Sequence, residues 1–195
     1  MKLVIIVGSV RNGRFGRRVA DWVAEQATAH GQFELDVLDV AEVALPWALP
    51  PDILALTDTA GRSPELRNVA DRLASADAFL VVTPEYNHSF PASLKHLIDW
   101  HFTEWQAKPI GFVSYGGHGG GLRAIEQLRL VFAELHAATV RDSVSFDRHW
   151  ERFAPDGTLV DAEEPAAAAK VLLDQLVWWG TALAEARTAR PYTAA

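Results

Sequence analysis

The chain has 195 residues, of which 49% are hydrophobic and 22% charged, with a formal net charge of −7. These values fit one soluble globular domain over residues 1–195, whose surface field repels nucleic acid and acidic membranes. The absence of cysteine excludes disulfides, thiolate catalysis, iron–sulfur clusters and cysteine-based zinc sites.

The opening run up to Gly8 carries one charged side chain and is too short for a signal sequence or a membrane span, so a cytoplasmic setting is expected. Within it, residues 3–7 are continuously apolar and rich in β-branched side chains, as a strand buried on both faces requires. A glycine-rich loop follows. Val19, Ala20, Val23, Ala24 and Ala27 then recur at helical spacing over residues 17–30, with Gly31 placed to end the helix. Residues 33–40 alternate Phe33, Leu35 and Val37 with acidic neighbours, which predicts a strand at a sheet edge.

Residues 44–63 carry Pro46, Pro50 and Pro51 and read as a loop. Ser63 and Pro64 are a cap and first-turn pair for a helix ending near Ser75. A buried strand at 78–82 leads to a polar loop and a helix at 91–100, with Ser89 as its candidate cap. Residues 109–114 form the next strand, 122–136 an amphipathic helix, and 138–144 a further strand. An irregular excursion over 145–165 precedes a last helix running to about Ala189, which the alanine run 166–169 begins. Strands alternating with helices imply parallel βαβ units joined by right-handed crossovers, hence a doubly wound α/β sheet.

In such sheets ligands bind beyond the carboxyl ends of the strands, where the strand order reverses. Three loops of unusual composition lie at such ends: after Val7, after Val82 and after Val113. With strand order 2-1-3-4-5 the strands before them are neighbours, so the loops converge on one crevice. The first, residues 8–16, enters a helix N-terminus, where unpaired N–H groups favour an anion. Gly8, Gly13 and Gly16 permit close backbone approach, Ser9 offers a hydroxyl, and Arg11 and Arg14 offer bidentate donors. The spacing matches neither the dinucleotide fingerprint nor the Walker loop, and so suits a terminal monophosphate. The plain alternative is a glycine-rich turn with solvated arginines. The second loop, residues 84–89, combines Tyr86 as an apolar wall with polar edges suited to a flat heteroaromatic ring. The third, residues 115–121, has glycines that admit main chain close to a ligand or simply permit turns.

Together the segments GSVRNGRFG (8–16), TPEYNHSFPASLKHLIDW (83–100) and SYGGHGGGLRA (114–124) resemble the NADPH-dependent FMN reductase family of the flavodoxin-like superfamily. The resemblance runs to about Val144, and its middle segment is the most specific. It implies a flavodoxin-like three-layer sandwich around a parallel five-stranded sheet of order 2-1-3-4-5. It implies that Ser9, Arg11, Arg14, Phe15 and Gly16 hold the FMN phosphate. Pro84, Glu85, Tyr86 and Asn87 would line the isoalloxazine ring, largely through main chain. Ser114, Gly116, Gly117 and His118 would close the ring's pyrimidine end. It further implies hydride transfer from NADPH or NADH to FMN and on to a flavin, quinone, azo or metal-oxyanion acceptor, in a homodimer or homotetramer. Many relatives carry Ser or Thr where this chain has Gly16, which leaves Arg14 and backbone amides to meet more of the phosphate.

No catalytic acid or base is assigned, because the cofactor carries the chemistry. His96 and His101 fall on different helix faces, so no metal site is expected. Trp100, Trp105, Trp178 and Trp179 are expected in the core or at a subunit interface. Asp71, Arg72 and the arginines of 123–129 are expected on solvated helix faces. The principal alternative function is a flavodoxin-type FMN carrier reduced by a partner protein, which the arginine-rich first loop disfavours. A module that has kept the fold and lost its flavin is the other.

Overall fold

The computed structural model describes residues 1–51 and 62–193, so residues 52–61 of the expected proline-bearing loop lie outside the described residues. Among the described residues five strands form one parallel sheet: β1 (Lys2–Val7), β2 (Glu34–Asp39), β3 (Ala78–Pro84), β4 (Pro109–Tyr115) and β5 (Ala138–Phe146). The order is β2-β1-β3-β4-β5, the flavodoxin-like order expected from the sequence. The helices are α1 (Gly16–His30), α2 (Pro64–Ala74), α3 (Ala92–Asp99), α4 (Leu122–Glu134) and α5 (Glu163–Ala189).

Two cores separate by strand alternation. Leu3, Ile5, Leu80 and Val113 face Val19 and Val23 of α1 and Leu172 and Leu176 of α5. Val4, Ile6, Phe79 and Phe112 face Val69, Leu97, Leu128 and Phe132 of α2, α3 and α4. Successive residues of a strand point to opposite faces, so a strand covered on both sides must be apolar throughout. That is why β1, β3 and β4 show no alternation, whereas the edge strand β2 does. No helix among the described residues is long and apolar enough to cross a membrane.

Several local expectations change. Pro91, not Ser89, stands at the N-cap of α3, and the Ser89 hydroxyl donates instead to Gln127 Oε1 at 2.5 Å. Ser63 does cap α2, accepting from the Leu66 amide at 3.3 Å. Arg72 is no solvated residue. It grips Asp36 with Nε at 3.1 Å and Nη2 at 2.6 Å, and Nη2 also donates to the Val37 carbonyl at 2.8 Å. This ties α2 to the edge strand and holds the Asp36 carboxyl below the usual carboxylate range. Arg129 likewise donates to the Val140 and Arg141 carbonyls. Trp100 and Trp105 are buried, but Trp178 and Trp179 stand 64% and 41% exposed on α5. The excursion is shorter than expected: β5 runs on to Phe146, His149–Arg152 make a helical turn, and Phe153 bridges Leu159 before α5 begins.

Gly111 in β4 lies directly beneath leucines of α5. A Cβ there would lie 2.8 Å from Leu172 Cδ1, 3.1 Å from Leu176 Cδ1 and 3.2 Å from Leu80 Cδ1. Three leucines of the packed core converge on one hydrogen atom, so Gly111→Val should cost about 1–3 kcal/mol by overpacking despite valine's preference for strands. Urea unfolding measures this, and an unchanged midpoint would show that α5 can shift without loss.

Candidate active site

Val7, the last residue of β1, lies beside Val82 and Val82 beside Val113, and β3 and β4 run on together for two more residues to Pro84 and Tyr115, so the three loops leave the same edge of the sheet. Main-chain bonds secure their roots: Gly8 N to Val82 O at 2.9 Å, Glu85 N to Tyr115 O at 3.1 Å, and Gly116 N to Phe146 O at 3.0 Å. The Ser93 hydroxyl adds a bond to Gly8 O at 2.8 Å. Between the loops lies a cleft lined by Ser9, Arg11, Gly13, Arg14, Phe15, Pro84, Glu85, Tyr86, Tyr115, Gly116, Gly117 and His149. Nine of the thirteen residues named from the sequence are therefore in its wall.

The other four stand behind or beside it. Ser114 is fully buried, and its hydroxyl donates to Gly120 O at 2.8 Å, bracing the third loop from beneath. His118 is exposed beyond Gly117. Asn87 is exposed at the tip of a turn closed by two bonds between Tyr86 and Ser89 main chain, at 2.8 and 3.0 Å. Its φ of 49° and the 76° of His88 place consecutive side-chain-bearing residues in the left-handed region, a conformation that persists only where neighbours enforce it. Gln127 does so, donating to His88 O at 2.9 Å. Gly16 is buried under the first loop. A Cβ on it would lie 2.6 Å from Tyr115 Oη, so the space that a Ser or Thr side chain would need is held by the tyrosine.

The electrostatics divide the two arginines of the first loop. Arg14 makes a bidentate pair with Asp39, Nη1 to Oδ1 at 2.5 Å and Nη2 to Oδ2 at 2.7 Å, and also donates to Ser9 O at 3.0 Å. Asp39 is 2% exposed, and its hydrogen bonds raise the proton affinity of the Arg14 guanidinium above its ordinary value. Arg14 thus shapes the loop while its charge is already balanced. Arg11 lies over the Tyr86 ring at 5.1 Å and makes no ion pair among the described residues. The N-cap of α1 is Phe15, which offers no capping side chain, so an anion can serve the first-turn amides. Ser9 Oγ and Tyr86 Oη lie 2.9 Å apart across the cleft.

Glu85 links the second and third loops. Its Oε1 lies 2.5 Å from Arg123 Nη1, and its Oε2 accepts from the Arg123 amide in the first turn of α4 at 3.3 Å. Tyr115 is 4% exposed, and burial pushes its phenol well above the ordinary value, partly opposed by the nearby Ser9 hydroxyl. That hydroxyl is engaged with Tyr86, and no group among the described residues meets Tyr115 Oη in hydrogen-bonding geometry.

Three residues of the site had escaped sequence reasoning. Asp39 had a readable signal, since it ends a strand beside β1. Tyr115 had a weaker one, as the last residue of β4. His149 had none, because it belongs to the segment after β5. Among the described residues no three of His, Asp and Glu gather as a metal cluster.

Residues 1–151 match the family model described as NADPH-dependent FMN reductase. An NAD(P)H-dependent FMN reductase of Schizosaccharomyces pombe is 35% identical over 120 residues, covering 62% of this chain and 60% of that protein. The match therefore spans less than two thirds of that relative. A 2-hydroxy-1,4-benzoquinone reductase of a Burkholderia species is 29% identical over 188 residues, covering 92% of this chain and 96% of the relative. Among solved structures, the flavoenzyme NAD(P)H:(acceptor) oxidoreductase FerB of Paracoccus denitrificans superposes with a TM-score of 0.72 at 25% identity, over 92% of this chain and 97% of that one.

The contact between Gly16 and Tyr115 generates an exchange experiment. Gly16→Ala alone should lose about 1–3 kcal/mol of stability through overpacking. In a Tyr115→Phe background most of that loss should vanish, because the offending oxygen is gone and the ring carbon beneath it stands 3.5 Å away. Additive losses in the double variant, followed by urea unfolding, would contradict the contact. Arg14→Ala leaves the buried Asp39 carboxylate without its bidentate partner and should cost about 3 kcal/mol in the same measurement. Equal stability would mean that Arg17, whose Nη1 is 3.9 Å from Asp39 Oδ2, takes over the pair.

Proposed function

The chain belongs to the NADPH-dependent FMN reductase family, and we propose on that premise that it is an FMN-dependent NAD(P)H oxidoreductase delivering electrons to a small-molecule acceptor. The observation that carries the reading is the composition of the cleft. An uncapped helix N-terminus with Arg11 beside it shares the cleft with aromatic side chains and polar loops. That arrangement suits a ligand with one terminal phosphate and one flat ring, and FMN has that form.

In this reading Ser9, Arg11 and the amides of Phe15 and Gly16 meet the phosphate, with Arg14 holding the loop in shape through Asp39. Pro84, Glu85, Tyr86 and Asn87 flank the ring along one side. Gly116, Gly117 and His118 close its pyrimidine end, over a loop that Ser114 braces. When bound, FMN supplies the capacity to accept a hydride from a nicotinamide and pass electrons on. The side chains bind, orient and wall off; none is assigned a proton to move. The acceptor class is a quinone, azo compound, flavin or metal oxyanion. The Burkholderia relative, a benzoquinone reductase that aligns along nearly all of this chain, favours the first. A homodimer or homotetramer belongs to the same proposal, and the exposed pair Trp178 and Trp179 supports it, since surface tryptophans are enriched at interfaces.

Anaerobic titration of the purified, FMN-loaded protein with NADPH and NADH, following the flavin absorbance, tests the proposal. Bleaching of the flavin band by a nicotinamide is the expected result. Flavin that stays oxidised with both would make the protein a carrier dependent on a partner. A protein that binds no FMN would overturn the reading of the cleft.

A further inference from the structure

The segment after β5 brings to the cleft a side chain that none of the three loops supplies. Arg148 adopts φ 40° and ψ 51°, a left-handed conformation costly for a long side chain. It is held there by its amide donating to Gly117 O at 2.9 Å, and the next amide, of His149, donates to Gly116 O at 3.3 Å. The turn so enforced lays the His149 imidazole against the site, its ring centroid 4.7 Å from that of Phe15, 5.4 Å from Tyr115 and 5.2 Å from Trp150. Its Nδ1 lies 3.0 Å from Gly116 O.

These contacts determine what the ring can do. A carbonyl oxygen only accepts, so Nδ1 carries the proton, and Nε2 of the neutral ring carries a lone pair. The ring's hydrogen bond among the described residues is the one at Nδ1, and Nε2 makes none there. A ligand group that hydrogen-bonds to Nε2 of that neutral ring is a donor. Position narrows the choice further. Phe15 belongs to the phosphate end of the cleft and Gly116 to the ring end, and His149 touches both. Between a flavin's phosphate and its ring runs the ribityl chain, whose hydroxyls donate, whereas phosphate oxygens at neutral pH only accept.

We infer that His149 is a flavin-binding residue whose Nε2 accepts a hydrogen bond from a ribityl hydroxyl. The inference rests on the FMN reading of the cleft and adds to it a fourth segment, outside the three loops. It gives the strained turn at Arg148 a purpose: without it the imidazole would not reach the cleft.

The test is binding, read by quenching of flavin fluorescence, of FMN, riboflavin and lumiflavin to the wild type, to His149→Phe and to His149→Gln. Riboflavin lacks the phosphate, and lumiflavin lacks the whole arm but keeps the ring. Phenylalanine preserves the packing on Phe15 and deletes both nitrogens, while Gly116 O retains the amide of residue 149. His149→Phe should lose roughly three- to tenfold in affinity for FMN and for riboflavin, the worth of one ordinary hydrogen bond, and nothing for lumiflavin. His149→Gln, whose side-chain oxygen can accept the same bond, should recover most of the loss. Weakening confined to FMN would move the contact to the phosphate and overturn the assignment, and so would equal weakening of all three or of none. A second readout needs no variant: in the wild type, the ring ¹⁵N signals should report protonated Nδ1, and the Nε2 signal should shift when riboflavin is added. An unmoved Nε2 overturns the inference even if FMN binds, whereas a wild type that binds no flavin overturns the cleft reading itself.

Discussion

Three neighbouring parallel strands that open onto one edge of the sheet hold the whole site in place. Parallel pairing carries β1, β3 and β4 in one direction, and their ladders set Val7, Val82 and Val113 abreast. Every loop that follows must then leave the same edge of the sheet, and neighbouring strands send their loops into one crevice. No side chain of the cleft needs to seek its partners. The register of the strands sets Ser9 Oγ 2.9 Å from Tyr86 Oη and places Gly116 in the same cleft wall, to which β3 and β4 add Pro84 and Tyr115. Because those strands are covered on both faces, shifting the register would exchange the side chains of the two packed cores and misplace the loops at once.

Upon that scaffold the charges are arranged with economy. A loop bearing two arginines reads as two phosphate ligands, but a buried carboxylate at the end of β2 takes one of them. The pairing balances the charge of Arg14 and fixes the loop's shape through Asp39 and the Ser9 carbonyl, whereas Arg11 makes no ion pair among the described residues. The balance also explains how the loop keeps its form before any ligand arrives. The second and third loops are locked in a comparable way, since Glu85 reaches across to Arg123 and the first turn of α4. Two buried or half-buried ion pairs thus hold three loops, and the cleft between them is preformed.

Aromatic contacts extend this frame to the segment after β5. Phe15 meets Phe153 at 5.0 Å and His149 at 4.7 Å, and Phe146 meets Phe153 at 5.3 Å and Trp22 at 5.2 Å. The residue at the mouth of α1 is therefore part of a continuous cluster that anchors the excursion against the phosphate loop. Tyr115 joins the same cluster and fills the space over Gly16. A glycine at that position, which leaves the first loop short of a hydroxyl, fits against a tyrosine at the end of β4, far away in the chain.

Much of this was legible in the chain itself, for definite reasons. Unbroken apolar runs at residues 3–7 and 78–82 mark strands buried on both faces and the alternation at 33–40 marks an edge, while the sheet order itself came from the family resemblance. The glycines, arginines and polar residues clustered at strand ends marked the loops, because ligand chemistry there must follow an apolar strand. What each polar side chain does once there was not legible. Arg14 and Arg11 are alike in sequence, and only the fold, by bringing Asp39 alongside Arg14, shows which of them is paired. Arg72 reads as a surface residue of an amphipathic helix until Asp36 of the neighbouring strand is seen in its grip. His149 lies in a stretch with no periodicity at all, and its approach to Gly116 depends on a strained turn at Arg148 that local propensity disfavours. Local sequence determined the elements and the loops that follow them, because hydrophobic period and chain stiffness act over a few residues. Tertiary structure alone decided which charge is spent, which hydroxyl is displaced and which histidine enters the cleft, because those outcomes depend on contacts between residues tens of positions apart.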